Sequence, residues 1–100
     1  MARKPQSSAK TNPRNARLQT FYSRSAVCAL CKVHEEQLKL WESEELIRPS
    51  AFVKRNNTDV ALYDEQTLRR IRLIVTLSQE LEVNLPGISI ILHLLDRLSS

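Results

Sequence analysis

The residues with the greatest capacity for chemistry form one short cluster: Cys28, Cys31 and His34. Thiolates and imidazole nitrogens are zinc ligands, but a structural zinc site needs one ligand more than this cluster supplies, and the only other histidine is His93. No strand of a thioredoxin-like redox motif precedes the Cys-x-x-Cys pair. We therefore expect no metal and no cofactor, with both cysteines as small buried residues of a helix.

Catalytic constellations are also missing from the sequence. The chain has a single glycine and hence no glycine-rich phosphate loop, and it contains neither a Ser-His-Asp arrangement nor paired acids in an identifiable cleft. A helical chain of 100 residues leaves little room for a pocket that excludes water. The sequence therefore predicts a binding module and not an enzyme.

The excess positive charge lies at the N-terminus. The whole chain carries a net charge of +4, whereas residues 1–18 alone carry five basic residues and no acidic one. These five are Arg3, Lys4, Lys10, Arg14 and Arg17. A segment so polar cannot bury enough surface to offset its ordering entropy. We therefore expect residues 1–19 to be a disordered basic tail, and residues 20–100 to form one folded domain.

The hydrophobic pattern argues against a membrane or secreted protein. No run approaches the roughly 18 consecutive apolar residues that a membrane span requires. The first residues lack the apolar stretch of a secretory signal. We therefore expect a cytoplasmic protein whose two cysteines are reduced thiols.

Two short helices joined by a tight turn at Lys32 and Val33 are predicted between residues 24 and 44. Ser23 supplies an N-cap hydroxyl for the first helix, in which apolar residues recur at helical spacing. The second helix carries Trp41 on its apolar face, where we expect it to join the core. Such a pair is a helix-turn-helix unit.

A small β-hairpin is predicted after Pro49, which ends any helix. Two short apolar segments, 50–53 and 60–63, flank a polar segment, 54–59, that is rich in turn formers. This pattern predicts a short wing whose turn spans residues 54–59.

Two longer helices are predicted to follow. Asp64 is a strong N-cap for a helix over residues 65–81 that carries a broad apolar stripe ending at Leu81. Its arginines, Arg69, Arg70 and Arg72, lie off the stripe or at its edge, where Asp64, Glu65 or Glu80 would screen them. The fold class is therefore mainly all-α, with about four helices and a short hairpin.

The final helix is predicted to start at Pro86 and to have two apolar faces. One face carries Ile88, Ile91, Leu92, Leu95 and Leu98, and the other carries Ile90 and Leu94. One module would not normally bury both faces, so the second face is a candidate for contact with a partner.

In this order, the motifs resemble a MerR-type winged helix-turn-helix. Residues 36–42 (EQLKLWE) and 46–49 (LIRP) are similar to the opening of MerR-type regulators, and residues 62–65 (LYDE) to their wing exit. Residues 81–88 (LEVNLPGI) resemble a segment shared by the heat-shock repressor HspR and the chaperone modulator CbpM. The resemblance covers residues 21–98.

The resemblance implies two functions. MerR and HspR proteins bind operator DNA. CbpM proteins bind a J-domain co-chaperone of the DnaJ type and restrain its action on the Hsp70 partner. Since one scaffold serves both functions, the fold alone does not choose between them.

The charge of the second helix favours the chaperone modulator. Between residues 33 and 47, five glutamates face a single base, Lys39, for a net charge of −4. A DNA-reading helix lies beside phosphates, whereas an acidic helix suits a basic protein partner. We therefore expect a CbpM-like modulator that binds a J-domain co-chaperone. Its expected partner contacts are Glu35, Glu36, Lys39, Glu42, Glu45, Ile90 and Leu94.

The alternative is a DNA-binding transcriptional regulator of the MerR or HspR type. Lys39 stands where such regulators usually carry Arg, which weakens a bidentate contact. The basic tail would add a nonspecific grip on DNA. A homodimer through the last helix, in contact at Ile90 and Leu94, belongs to this alternative. The candidate DNA contacts are Lys39, Arg48, Lys54, Arg55 and Tyr63.

Overall fold

The computed structural model describes residues 19–99, so nearly all of the predicted basic tail, 1–19, lies outside the described residues. Within that range the chain forms four α-helices and a three-stranded antiparallel sheet. In chain order the elements are β1 (Phe21–Ser23), α1 (Arg24–Cys31), α2 (Glu35–Ser43), β2 (Ala51–Arg55), β3 (Thr58–Asp64), α3 (Glu65–Val75), a π-helical turn (Thr76–Glu80) and α4 (Leu85–Ser99). The predicted mainly α, winged helix-turn-helix fold is confirmed.

Local hydrogen bonds set the boundaries of the helix-turn-helix. The Oγ atom of Ser23 accepts a hydrogen bond from the backbone N–H of Ala26 at 3.2 Å and so caps α1. Lys32 ends α1 in the left-handed region, with φ of 59°. At the start of α2, the Oε1 atom of Gln37 accepts from the backbone N–H of His34 at 3.1 Å. Local backbone conformation and hydrogen bonding therefore define both the end of α1 and the start of α2.

The wing is longer than predicted, and its turn is shorter. Only Asn56 and Asn57 form the turn, both with positive φ (53° and 62°), a conformation that asparagine tolerates and that matches strand twist. The flanking residues of the predicted 54–59 turn belong to β2 and β3 instead. Lys54 pairs with Asp59 across the strands, where opposite charges stabilise the ladder.

Strand β1 was not predicted from the sequence. Its three residues pair with the end of β3, with Tyr22 opposite Tyr63, so the sheet order is β1-β3-β2. A strand this short has no readable alternation of apolar and polar residues, and only its long-range partner identifies it.

One hydrophobic core joins the helices to the sheet. It takes residues from both helices of the helix-turn-helix, from β3, and from α3 and α4. Trp41 is 3% exposed, which confirms its predicted place in the core. Cys31 is buried and Cys28 is half-buried.

The third predicted helix does not continue as an α-helix to residue 81. It ends at Val75, and the π-helical turn that follows changes the rotation per residue. Leu81 is therefore turned off the apolar stripe and is 63% exposed. Glu82 follows in the left-handed region, with φ of 55°.

Helix α4 begins one residue before the predicted Pro86. The Oδ1 atom of Asn84 accepts from the backbone N–H of Gly87 at 2.9 Å, so Asn84 is the capping residue. A Cβ atom at Gly87 would lie 2.8 Å from Cγ1 of Val83, which explains a glycine in the first turn. No helix in residues 19–99 is long and apolar enough to cross a membrane.

Candidate functional site

The outer face of α2 is mixed in charge. Glu35 and Glu36 lie in its first turn, where the positive end of the helix dipole stabilises their negative charge. Lys39 and Leu40 are exposed near the middle of the helix. The two acids therefore occupy one end of α2, and the central exposed charge is a lysine.

Glu42 lies between three elements and not on the outer face. Its Oε1 atom accepts from Nη2 of Arg24 in α1 at 3.0 Å, and its Oε2 atom accepts from the hydroxyl of Tyr63 in β3. The side chains of Arg24 and Glu42 are 26% and 18% exposed. The charge of this predicted partner contact is thus balanced within the fold.

Tyr63, a candidate DNA contact, is fully buried, with 0% exposure. Burial raises the pKa of its hydroxyl well above the ordinary value, and the hydrogen bond to Glu42 raises that pKa further. The side chain is therefore a neutral donor inside the fold, and the expectation of a direct DNA contact is corrected. The burial of Tyr63 could have been predicted from the alternation of side chains along β3, because Tyr63 and Leu62 must face opposite sides of the sheet.

The last two acids of the segment lie at the C-terminal end of α2. Glu44 is the C-cap residue of α2, and Glu45 follows it with φ of 62°. Both line a cleft of about 210 Å³ with Arg70 and Asp96. The net charge of −4 counted along the sequence is therefore spread over separate places.

The wing presents basic side chains and one aromatic ring. Lys54 and Arg55 are exposed, and Lys54 contacts Asp59 at 3.1 Å, with both side chains largely in solvent. Phe52, which the sequence analysis did not single out, is 62% exposed. Arg48, just before the wing, is exposed as well. Four of the five candidate DNA contacts thus lie on the surface.

One face of α4 is apolar and exposed. Ile90, Leu94 and Leu98 recur at intervals of four residues and are 62%, 53% and 83% exposed. Ile88 and Leu92 are buried on the opposite face. Leu98 was predicted on the buried stripe and instead extends the exposed one, because the core ends before the last turn of the helix.

Arg70 connects three parts of the fold. Its Nε atom donates to the carbonyl of Leu46 at 2.6 Å, and Nη1 and Nη2 donate to the two carboxylate oxygens of Asp96 at 2.7 and 3.1 Å. These bonds hold the pKa of Asp96 below its ordinary value. The predicted acidic partners of the α3 arginines were neighbours in sequence, whereas this partner is 26 residues away.

The cysteine cluster is structural in character. Burial raises the pKa of the thiols of Cys28 and Cys31, so both are protonated near neutral pH. No group of three or more metal-ligating residues within the described part of the chain could hold a metal ion. Cys28 and Cys31 pack from α1, whereas His34 is exposed at the start of α2.

Comparison with known families bears on the chain from β1 to its end. The family model described as MerR HTH family regulatory protein matches residues 22–100, which include the helix-turn-helix, the wing, α3 and α4. No curated protein matches the chain significantly.

Proposed function

Because the chain belongs to the MerR HTH family of regulatory proteins, we propose that it is a DNA-binding transcriptional regulator. In this proposal the protein binds DNA, has no enzymatic activity and acts in the cytoplasm. Helix α2 enters the major groove and the wing lies along the adjacent backbone.

The observation that carries this proposal is the inward position of Glu42. Its carboxylate is bonded to Arg24 and Tyr63, so it adds no repulsion toward phosphates on the outer face of α2. Glu44 and Glu45 lie beyond the helix, beside a cleft with α4 residues. The acidic residues between positions 33 and 47, which in the sequence argue against DNA binding, are therefore not concentrated on the face of α2 that is proposed to contact DNA.

The proposed DNA contacts are basic and exposed. Lys39 contacts a base edge or a phosphate from α2, and Arg48, Lys54 and Arg55 contact the backbone from the wing and its entry. The five basic residues within 1–18 add phosphate contacts that do not depend on sequence.

A second copy of the chain completes the proposed reader. Ile90, Leu94 and Leu98 form a continuous apolar stripe on α4, which two copies can bury against each other. A two-fold dimer would place two α2 helices on successive half-sites of one operator.

The test is selection of DNA sites from a random duplex pool, followed by a titration with the enriched duplex across salt concentrations. We expect sequence-selective binding that persists near physiological salt. Lys39→Gln should weaken this binding by about tenfold, the order expected for one base contact. Lys32→Gln, which removes an exposed lysine at the end of α1, is the matched control and should bind as the wild type does. Binding that appears only at low salt, with no selected sequence, would overturn the proposal.

A second candidate is the CbpM-like modulator of a J-domain co-chaperone. Exposed acids at both ends of α2, Glu35 and Glu36 at one and Glu44 and Glu45 at the other, favour a basic protein surface. Calorimetric titration with purified J-domain proteins of the same cell tests this candidate. Micromolar binding that Glu35→Gln and Glu36→Gln weaken would support it, and the absence of binding at that concentration would exclude it.

A further inference from the structure

The guanidinium of Arg70 has all its observed hydrogen bonds outside its own helix. One goes to the backbone carbonyl of Leu46, in the connection between α2 and the wing. Two parallel ones go to the carboxylate of Asp96 on α4. The Arg70 side chain thus bonds both to the connection between α2 and the wing and to α4, the helix with the exposed apolar stripe.

The geometry of these bonds requires arginine. A planar guanidinium can direct its Nε–H to a carbonyl while its two terminal nitrogens bind a carboxylate in a fork. A lysine ammonium has the same charge but cannot reproduce the fork together with the carbonyl bond. Asp96 therefore orients Arg70, and Arg70 in turn holds Leu46.

Backbone hydrogen bonds hold the two ends of the connection: the N–H of Leu46 donates to the carbonyl of Trp41 at 2.9 Å, and the N–H of Ser50 donates to the carbonyl of Leu62 at 2.8 Å. Among the side-chain bonds of the described residues, that of Arg70 is the one that reaches the carbonyl of Leu46 between these ends.

Glu45 has positive φ, and a cleft of about 310 Å³ opens beside the connection, lined by residues that include Leu46, Arg48 and Arg70. Leu46 and Ile47 are buried, whereas Glu45 and Arg48 are exposed on either side of them. The position of the carbonyl of Leu46 helps to set where the chain leaves α2 for the wing.

We propose that Arg70 is a positioning residue that fixes the wing relative to α2 in an orientation set by α4 through Asp96. This inference rests on the proposed DNA-binding function, because the correct spacing of α2 and the wing matters when both contact one duplex. It assigns a role to a residue that itself does not touch DNA.

The test compares Arg70→Lys with Arg69→Lys, its exposed neighbour on α3. Both variants keep the net charge, so long-range attraction to DNA is unchanged. Asp96→Asn provides a second variant at an exposed position in case Arg70→Lys does not fold. Two quantities are measured for each protein: hydrogen exchange of the amides in residues 44–50 without DNA, and affinity for the selected duplex.

We expect Arg70→Lys and Asp96→Asn to speed amide exchange in residues 44–50 by about tenfold, as for loss of one charge-assisted hydrogen bond. Arg70→Lys, which keeps the net charge, should also weaken DNA binding by about tenfold. Amides of α1 should exchange at the wild-type rate, and Arg69→Lys should match the wild type in both measurements. Unchanged exchange in residues 44–50 would overturn the proposal, as would faster exchange with unaltered affinity, which is the result of a merely structural role. If the wild type binds no DNA, the proposed function fails, and exchange still decides whether Arg70 holds the connection.

Discussion

Tyr63 donates a hydrogen bond from its hydroxyl to Glu42, and this bond joins β3, the central strand of the sheet, to the C-terminal turn of α2. The two residues are 21 positions apart in sequence. Arg24 bonds the other oxygen of the same carboxylate at 3.0 Å. Because the three side chains come from α1, α2 and β3, they fix the helix-turn-helix against the sheet.

Tyr63→Phe should lower the free energy of unfolding by about 1–3 kcal/mol, the range for losing a buried hydrogen bond to a charged group. Urea denaturation measures the change. Tyr22→Phe is the matched control, because Tyr22 bonds Glu65 on the surface at 3.0 Å, and loss of this solvent-exposed bond should cost clearly less than loss of the Tyr63 bond. Equal effects in the two variants would contradict the inward role of Tyr63.

Glu42→Gln and Glu36→Gln remove the same charge from the same helix but should act differently. Glu42→Gln leaves Arg24 without its carboxylate and should destabilise the protein by about 1–2 kcal/mol. Glu36→Gln, at an exposed position, should change stability by no more than about 0.5 kcal/mol and should strengthen DNA binding. Thermal unfolding and DNA titration distinguish the two variants. A Glu42→Gln protein as stable as the wild type would contradict a stabilising role for the bonds of Glu42 with Arg24 and Tyr63.

Asp64 should make stability depend on pH in the acid range. Its carboxylate accepts from the backbone N–H of Thr67 at 2.8 Å, and this bond lowers its pKa from the ordinary value. The carboxylate therefore stabilises the fold above its unfolded pKa of about 3.9, and this contribution is lost as the pH falls through the lower folded pKa. Asp64→Asn keeps a capping oxygen and should lose less stability between pH 5 and 2 than the wild type does. Asp64→Ala should cost about 1 kcal/mol at neutral pH.

Removal of residues 1–18 should reduce the salt dependence of DNA binding. Each phosphate contact contributes about −0.9 to the slope of log affinity against log salt concentration, so up to five basic residues set the limit of the change. The preference for the selected sequence over unrelated DNA should remain, because the base contacts are proposed to lie on α2. A shortened protein with an unchanged slope would show that the segment does not contact DNA.

Local features of the sequence were enough to predict most of the helical elements. Ser23, Asp64 and the period of the apolar residues identify α1 and α3, because capping and helical spacing involve neighbours along the chain. The burial of Trp41 follows from the same periodicity. The π-helical turn could not be predicted, since its residues read as ordinary continuation of a helix.

The candidate site depended more strongly on long-range contacts. The sequence identified which charged residues surround the helix-turn-helix but not the direction in which each one points. The sequence predicts Glu42 as an exposed acid, whereas in the fold its carboxylate is bonded to Arg24 and Tyr63. It likewise predicts Arg70 as a base on a helix surface, whereas in the fold its guanidinium is bonded to Asp96.

Caps, turns and apolar spacing lie within short stretches of the chain, and they are enough to predict a helix-turn-helix with a wing and two further helices. Which charges remain available to a partner depends instead on contacts between residues far apart in sequence. A carboxylate loses its effect on an approaching phosphate when a neighbouring guanidinium and hydroxyl bind it, and those neighbours are brought together by folding and not by sequence proximity. The inward position of Glu42 therefore leaves the outer face of α2 less acidic than the sequence predicts, as the proposed contact with DNA requires.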